Sequence, residues 1–234
     1  MYGIFRKEWE LYFKTMIGYI FLAVFLSISG FYFLMVNLIP QNGDIKDFFS
    51  AISPVLLFLL PILTMRLFSE ERRQRTDELL LTAPVRIRDL IFGKYLASAL
   101  LLLLASSVVI VCAAILARHG SFSLMDTLSN YLGFLLMECA FLAIGLFLSV
   151  ITENQVVAAV VTYAVLLLLS VADSLKTVFS GALAGRLIDL LSLNAHYTDF
   201  TYGIFNLENV VYFLSVIALF LFLSIYALER RRLD

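Results

Sequence analysis

The sequence predicts an all-α integral membrane protein with six transmembrane helices, and three observations predict it. Hydrophobic residues fill 62% of the 234 positions, above the roughly 45 to 50% of a soluble domain. The apolar residues gather into six runs near the length of about 20 residues that a helix needs to cross the hydrocarbon core. The basic residues fall unevenly on the segments joining those runs. A net charge of -1 offers no basic surface for nucleic acid, so the placement of charge carries more information than its sum.

The chain opens on MYGIFRKEWELYFKT. Tyr2, Phe5, Trp9, Tyr12 and Phe13 recur at a helical period among Arg6, Lys7, Glu8, Glu10 and Lys14, which predicts an amphipathic interfacial helix over 1–15. It reads as an anchor, and a partner contact fits the same pattern. The first span, 16–38, exceeds the roughly 7 to 15 residues of a signal-peptide core and has no A-x-A-like cleavage site, so it is expected to be retained. The second, 52–68, contains Pro54 and Pro61, each of which removes a backbone hydrogen bond and bends the axis. A moving element would look like this, although prolines are also common in membrane helices. The remaining spans are 93–117, 131–151, 156–172 and 210–228.

Between the last two, residues 173–209 form a long connection. Leu175, Val178, Phe179, Leu183, Leu187, Leu190 and Leu191 give it a helical apolar period, so one or two short re-entrant or interfacial helices are expected. Gly181 and Gly185 form a GxxxG that allows close packing. His196, Tyr197, Phe200, Tyr202, Phe205 and Tyr212 read as an interfacial aromatic belt rather than a ligand cage. Other connections are short, and neither a repeat nor a soluble domain is evident, so 1–234 is expected to be a single transmembrane domain. Cys112 and Cys139 lie in apolar runs without metal-ligand spacing and read as reduced structural thiols.

Of the 17 Lys and Arg residues, thirteen fall on the two termini and the stretch from Arg66 to Lys94. Lys46, Arg118, Lys176 and Arg186 fall on the other side. The positive-inside rule then places both termini and segment 69–92 in the cytoplasm.

That segment begins SEERRQRTDELLLTAP. Thr76 can cap a helix, Asp77 and Glu78 suit its first turn, and Pro84 stops it, predicting a short helix over 77–83. Isolated helices below about 12 to 15 residues are marginal in water, so this one needs a surface for Leu79, Leu80 and Leu81. A lipid-facing helix held by arginines to anionic headgroups is one reading. Glu70, Glu71, Asp77 and Glu78 favour a protein surface, because carboxylates are repelled by such headgroups.

EERRQRTDELLLTAPV, with the preceding PILTMRLFSE and the following GKYLA, resembles the loop between spans two and three of ABC-2-type (type V exporter-like) transporter permeases, especially the gliding-motility-associated subfamily. HYTDFTYGIFNLENVVYFLS and ALERRR near the C-terminus resemble that subfamily too. Two positions depart from its pattern: Arg75 stands where Gly is common before the Thr, and Tyr202 where a basic residue is common before the Gly.

The resemblance implies a permease subunit of an ATP-binding-cassette transporter in a bacterial plasma membrane. Segment 69–92 becomes its coupling element, with Glu70, Glu71, Arg72, Arg73, Thr76, Glu78, Leu79, Leu80 and Pro84 seated on a nucleotide-binding subunit. ATP and Mg would be bound by that subunit and no cofactor by this chain. Gly93-Lys94 is not a phosphate loop, since Arg88 replaces its first Gly and Tyr95 its Ser or Thr. A second permease copy or paralogue, and a membrane protein with a large extracytoplasmic domain, are the other implied partners. The work done would be substrate export or mechanical work across the membrane.

Two other classes meet the same residues. Glu70 to Arg75 also spells the E-E-x-x-x-R of CAAX-type intramembrane proteases, whose carboxylates act beside buried histidines; His119 and His196 are both expected on the opposite side. A non-transporting scaffold or immunity protein is the other. Glu138 lies within span four, where a charge costs about 2.5 to 3.5 kcal/mol on insertion scales. It is expected to face a translocation path or to sit at a helix interface.

Overall fold

A computed structural model of the chain describes residues 1–73, 86–119, 124–172 and 192–233. Among them the only regular structure is helical. Helix α1, Tyr2–Lys14, ends at Thr15, and Met16, in the left-handed region at φ 59°, turns the chain into α2, Ile17–Phe33. The exposed carboxylate of Glu10 accepts from Lys14 at 2.8 Å and Arg6 at 3.0 Å. These two cations, Lys14 foremost, hold its carboxyl below the usual carboxylate range.

Helix α2 runs into a π-helical turn, Leu34–Leu38. There the buried Asn37 amide donates to the carbonyls of Asn42 at 3.0 Å and Asp44 at 2.8 Å. Asp44 in turn caps α3, Ile45–Thr64, by accepting from the Lys46 N–H at 2.9 Å. This cap, with Phe48 and Phe49 buried just beyond it, starts the helix seven residues before the apolar run expected at 52. The helix passes through both Pro54 and Pro61 unbroken.

Next come α4, Ser69–Arg73, and α5, Ile87–Ser106. A turn at Ser107, whose hydroxyl donates to the Leu104 carbonyl at 2.6 Å, separates α5 from α6, Val108–His119. Helix α7 is Leu124–Ile151, and α8, Gln155–Val171, is capped by Asn154. Helix α9, Leu193–Thr201, is capped by Ser192, and α10 is Leu207–Leu233.

Among the described residues, five helical stretches are long and apolar enough to cross a membrane: Ile17–Leu38, Ile45–Arg72, Ile87–Arg118, Leu124–Ile151 and Leu207–Arg232. The sixth expected span is α8, whose 17 residues rise about 26 Å, a little less than the roughly 30 Å hydrocarbon thickness.

Helix α7 is the axle. It packs against α3, α5, α8, α9 and α10, and 67% of its apolar window is buried against 17% for α10. Small residues make that possible. A Cβ added to Gly145 would lie 2.6 Å from the Thr64 hydroxyl, so α3 and α7 meet almost backbone to backbone. At the far end Phe33, Phe48, Phe49 and Phe134 follow one another edge to face and then tilted, with ring centroids 5.9, 5.8 and 5.3 Å apart.

The aromatic stretch is not a uniform belt. Spacing along α9 puts Tyr197 and Phe200 on its inner face, where they are buried against the bundle; burial also raises the Tyr197 hydroxyl pKa above its ordinary value. His196 stacks on Tyr212 with ring centroids 3.8 Å apart, while Tyr202 and Phe205 stay exposed. The Asn209 side chain ties α9 to α10, meeting His196 Nδ1 at 2.8 Å and donating to Asp199 Oδ2 at 2.7 Å. Gly203, at φ +73°, makes the left-handed turn between the two helices. The expected helices and the GxxxG within 173–191 lie outside the described residues.

Both chain ends gather at one end of the bundle. The Met1 amino group is 3.8 Å from Asp89, and Arg231 donates to the Ile151 carbonyl at 3.0 Å.

Candidate functional site

At that charged end, the start of segment 69–92 is built into the base of the bundle. Helix α1 brings Ile4, Glu8 and Tyr12 onto one face by their spacing of four. Each meets α5: Ile4 lies against Gly93, Glu8 pairs with Lys94, and the Tyr12 hydroxyl is 2.7 Å from Ser98 Oγ. A Cβ on Gly93 would lie 2.9 Å from Ile4 Cγ2, so this approach needs glycine. Burial in the contact raises the Tyr12 hydroxyl pKa above its ordinary value.

Lys94 is the node. Its ammonium group is 2.8 Å from Glu71 Oε1, 3.1 Å from Glu8 Oε1 and 2.6 Å from the Leu67 carbonyl. An ammonium has three donors, and these three acceptors match them. The Phe68 ring lies 4.8 Å away. Lys94 is 2% exposed and Glu8 6%. One cation thereby joins α1, the turn after α3, α4 and α5.

A second set of contacts holds α4 to the α7–α8 junction. Ser149 Oγ accepts the N–H groups of Phe68 at 3.1 Å and Ser69 at 3.2 Å, and Ser69 Oγ donates to the Ser149 carbonyl at 3.1 Å. Arg72 donates to Glu153 Oε1 at 2.6 Å and to the Ile151 carbonyl at 3.2 Å. Arg231 reaches the same carbonyl, so two cations sit at the negative end of the α7 dipole. Arg66 and Glu70 form a two-bond pair at 2.8 and 3.1 Å.

Of the residues expected to contact a partner, Glu70, Glu71 and Arg72 therefore belong to this junction, and Arg73 closes α4. Thr76, Glu78, Leu79, Leu80 and Pro84, with the helix expected over 77–83, lie outside the described residues. Glu138 is elsewhere, at the middle of α7, fully buried and with neither carboxyl oxygen hydrogen-bonded among the described residues. The Tyr197 hydroxyl is buried and unbonded as well.

Sequence reasoning had not singled out Lys94, Glu8, Ser149 or Glu153 as site residues. For Lys94 a signal existed: it stands inside the apolar run IFGKYLASALLLLL, and an ionisable residue at membrane depth needs a partner. The chemistry available is mechanical. Lys94 has its donors occupied, and Glu71 is held by a cation. His196 is engaged with Asn209 and Tyr212 on α9 and α10, away from Glu71. Among the described residues no group of three or more His, Cys, Asp or Glu side chains is placed to hold a metal ion.

No curated protein matches the chain. Residues 32–233 match the family described as ABC-2 family transporter protein. That match begins near the end of α2 and covers Glu71, Lys94, Glu138 and Ser149 together with α3 through α10. The chain belongs to the ABC-2 family of transporter proteins, the membrane components of ATP-binding-cassette transporters.

Proposed function

We propose that this chain is the permease subunit that converts ATP hydrolysis by a separate nucleotide-binding subunit into export or mechanical work across a bacterial plasma membrane. Segment 69–92 seats on that subunit through Thr76, Glu78, Leu79, Leu80 and Pro84, with Glu70 to Arg73 at its root. ATP and Mg stay with the partner. Both termini are cytoplasmic, α8 is the sixth span, and a second copy or paralogue completes the pathway. The resemblance to the gliding-motility-associated subfamily adds a companion with a large extracytoplasmic domain.

The observation that carries this reading is the Lys94 node. A docking segment transmits force only if its root is rigidly tied to the helices it moves. Here Glu71 and Ser69 are bonded to α5 and α7, so displacement of α4 is passed to α1, α5 and α7 together. Glu138, fully buried without a bonded oxygen, is proposed to face the translocation path, since an unsatisfied carboxyl group is retained at a cost in stability.

The test is affinity purification of the tagged chain from native membranes, comparing wild type with a Glu78→Arg, Leu80→Asp variant and with Glu138→Leu. The expected outcome is an ATPase subunit recovered with wild type and Glu138→Leu and lost with the docking variant. ATP turnover of the Glu138→Leu complex is expected to fall. Recovery of no ATPase with a folded wild-type chain would refute the reading, and unchanged turnover would remove Glu138 from the path.

A further inference from the structure

Helix α10 leaves an unusual face open beside α5. An apolar groove of about 590 Å³ runs between them, lined by Phe92, Leu214, Ala218, Leu221 and Ile225. At the charged end it leads into a second cavity of about 530 Å³ lined by Arg86, Ile87, Arg88, Glu229 and Arg232. Arg88 and Glu229 line both. None of the three guanidinium groups, nor the Glu229 carboxylate, has a hydrogen-bond or ion-pair partner among the described residues. Three cations and one anion leave the mouth at a net charge of about +2.

We propose that this paired cavity binds a phospholipid with an anionic headgroup, one acyl chain lying in the α5–α10 groove and the phosphate held by Arg86, Arg88 and Arg232. The dimensions agree with a lipid. Leu214 to Ile225 spans 11 residues, a rise of about 16 Å, or half of the roughly 30 Å hydrocarbon core. The groove is therefore one leaflet deep, and its mouth lies at headgroup level. Arginine forks suit a phosphate bidentately. A second copy of the chain fits less well: a two-fold contact across this face would bring the same arginines together from both sides, and like charges at an interface oppose association. Arg86 and Arg88 stand at the end of segment 69–92, but the lipid site rests on the cavity alone and does not require that segment to seat on a nucleotide-binding subunit.

Native mass spectrometry of the purified full chain tests it, with phosphatidylglycerol and phosphatidylcholine of equal chain length as probes. Wild type is expected to retain phosphatidylglycerol selectively, and Arg88→Gln and Arg232→Gln to weaken that retention about fivefold for each arginine removed. Arg230→Gln, a neighbouring charge outside the cavity, should leave it unchanged, and Ala218→Phe, which fills the groove, should lower it with the arginines intact. Equal retention of both lipids, or no loss in the two arginine variants, would overturn the proposal. Displacement of the lipid by millimolar sn-glycerol 3-phosphate would reduce it to a phosphate site and overturn the groove. Disulfide-linked dimers through Phe222→Cys in native membranes would show a second copy there and overturn it too.

Discussion

Lys94 carries a positive charge to a place where only 2% of its surface is exposed, and it is balanced by two carboxylates and a carbonyl. Breaking a buried pair by removing one partner typically costs about 3 to 5 kcal/mol, whereas replacing the whole group by apolar residues is often neutral. Lys94→Met should therefore lower the thermal midpoint markedly, because Glu8 and Glu71 are left facing each other. The triple change Glu8→Leu, Glu71→Leu, Lys94→Met should restore the midpoint without restoring ATP-coupled function. Thermal unfolding in detergent measures the first, and ATP turnover of the assembled complex the second. A Lys94→Met chain that melts like wild type would mean the node is not structural.

The partners of Lys94 were harder to read than Lys94 itself. Glu71 reaches it only because the chain turns between Met65 and Phe68, and no periodicity encodes that turn. Glu8 does share a helical face with Ile4 and Tyr12. Flanked by Arg6, Lys7 and Glu10, however, it looks like part of the solvated side. Glu138 was legible as an anomaly from its apolar surroundings, while the unbonded Tyr197 hydroxyl was hidden by the inward turn of α9.

Among the elements, the apolar runs point to the five span-length helices found among the described residues, because lipid demands continuous hydrophobicity and internally satisfied backbone. Their ends were less visible. Caps such as Asp44 and Asn154 are single polar residues, and the break at Ser107 lies in a run, Leu101 to Val111, that is otherwise almost uniformly apolar.

The sequence predicts an amphipathic helix over 1–15, and helix α1, Tyr2–Lys14, stands there; its docking on α5 depends on Gly93, whose meaning emerges only when Ile4 is placed beside it. Trp9, the single tryptophan, lies on α1 between Phe5 and Phe13 and is half-buried against the core, so it reports how α1 is seated. Gly93→Val forces the new side chain against Ile4 and, at 3.3 Å from its Cβ, the Phe5 backbone N, so α1 must lift and the Trp9 emission should shift to the red. Gly3→Val, which meets nothing within 4 Å, should leave the spectrum unchanged. An unshifted Gly93→Val spectrum would show that α1 is not seated as described.

For the whole molecule, the uneven distribution of arginine and lysine predicts orientation, and the structure brings the charge-rich segments to one end. Single cysteines at Tyr2, Arg230 and Tyr202, all exposed, in a chain lacking Cys112 and Cys139, report which side each occupies. An impermeant maleimide should label Tyr202→Cys in intact cells, and Tyr2→Cys and Arg230→Cys only after permeabilisation. Labelling of Tyr2→Cys in intact cells would reverse the orientation.

The contact between α1 and α5 also sets an order of events during synthesis. Tyr12 and Ser98 are 86 residues apart, as are Glu8 and Lys94. At about 5 to 20 residues per second the ribosome leaves the first helix waiting roughly 4 to 17 s for its counterpart. Throughout that interval Glu8 has no ammonium to meet and must stay hydrated at the membrane surface. Helix α1 is thus seated only once α5 has been made, and its docking marks the moment when Lys94 meets its carboxylates, before α7 to α10 have been added.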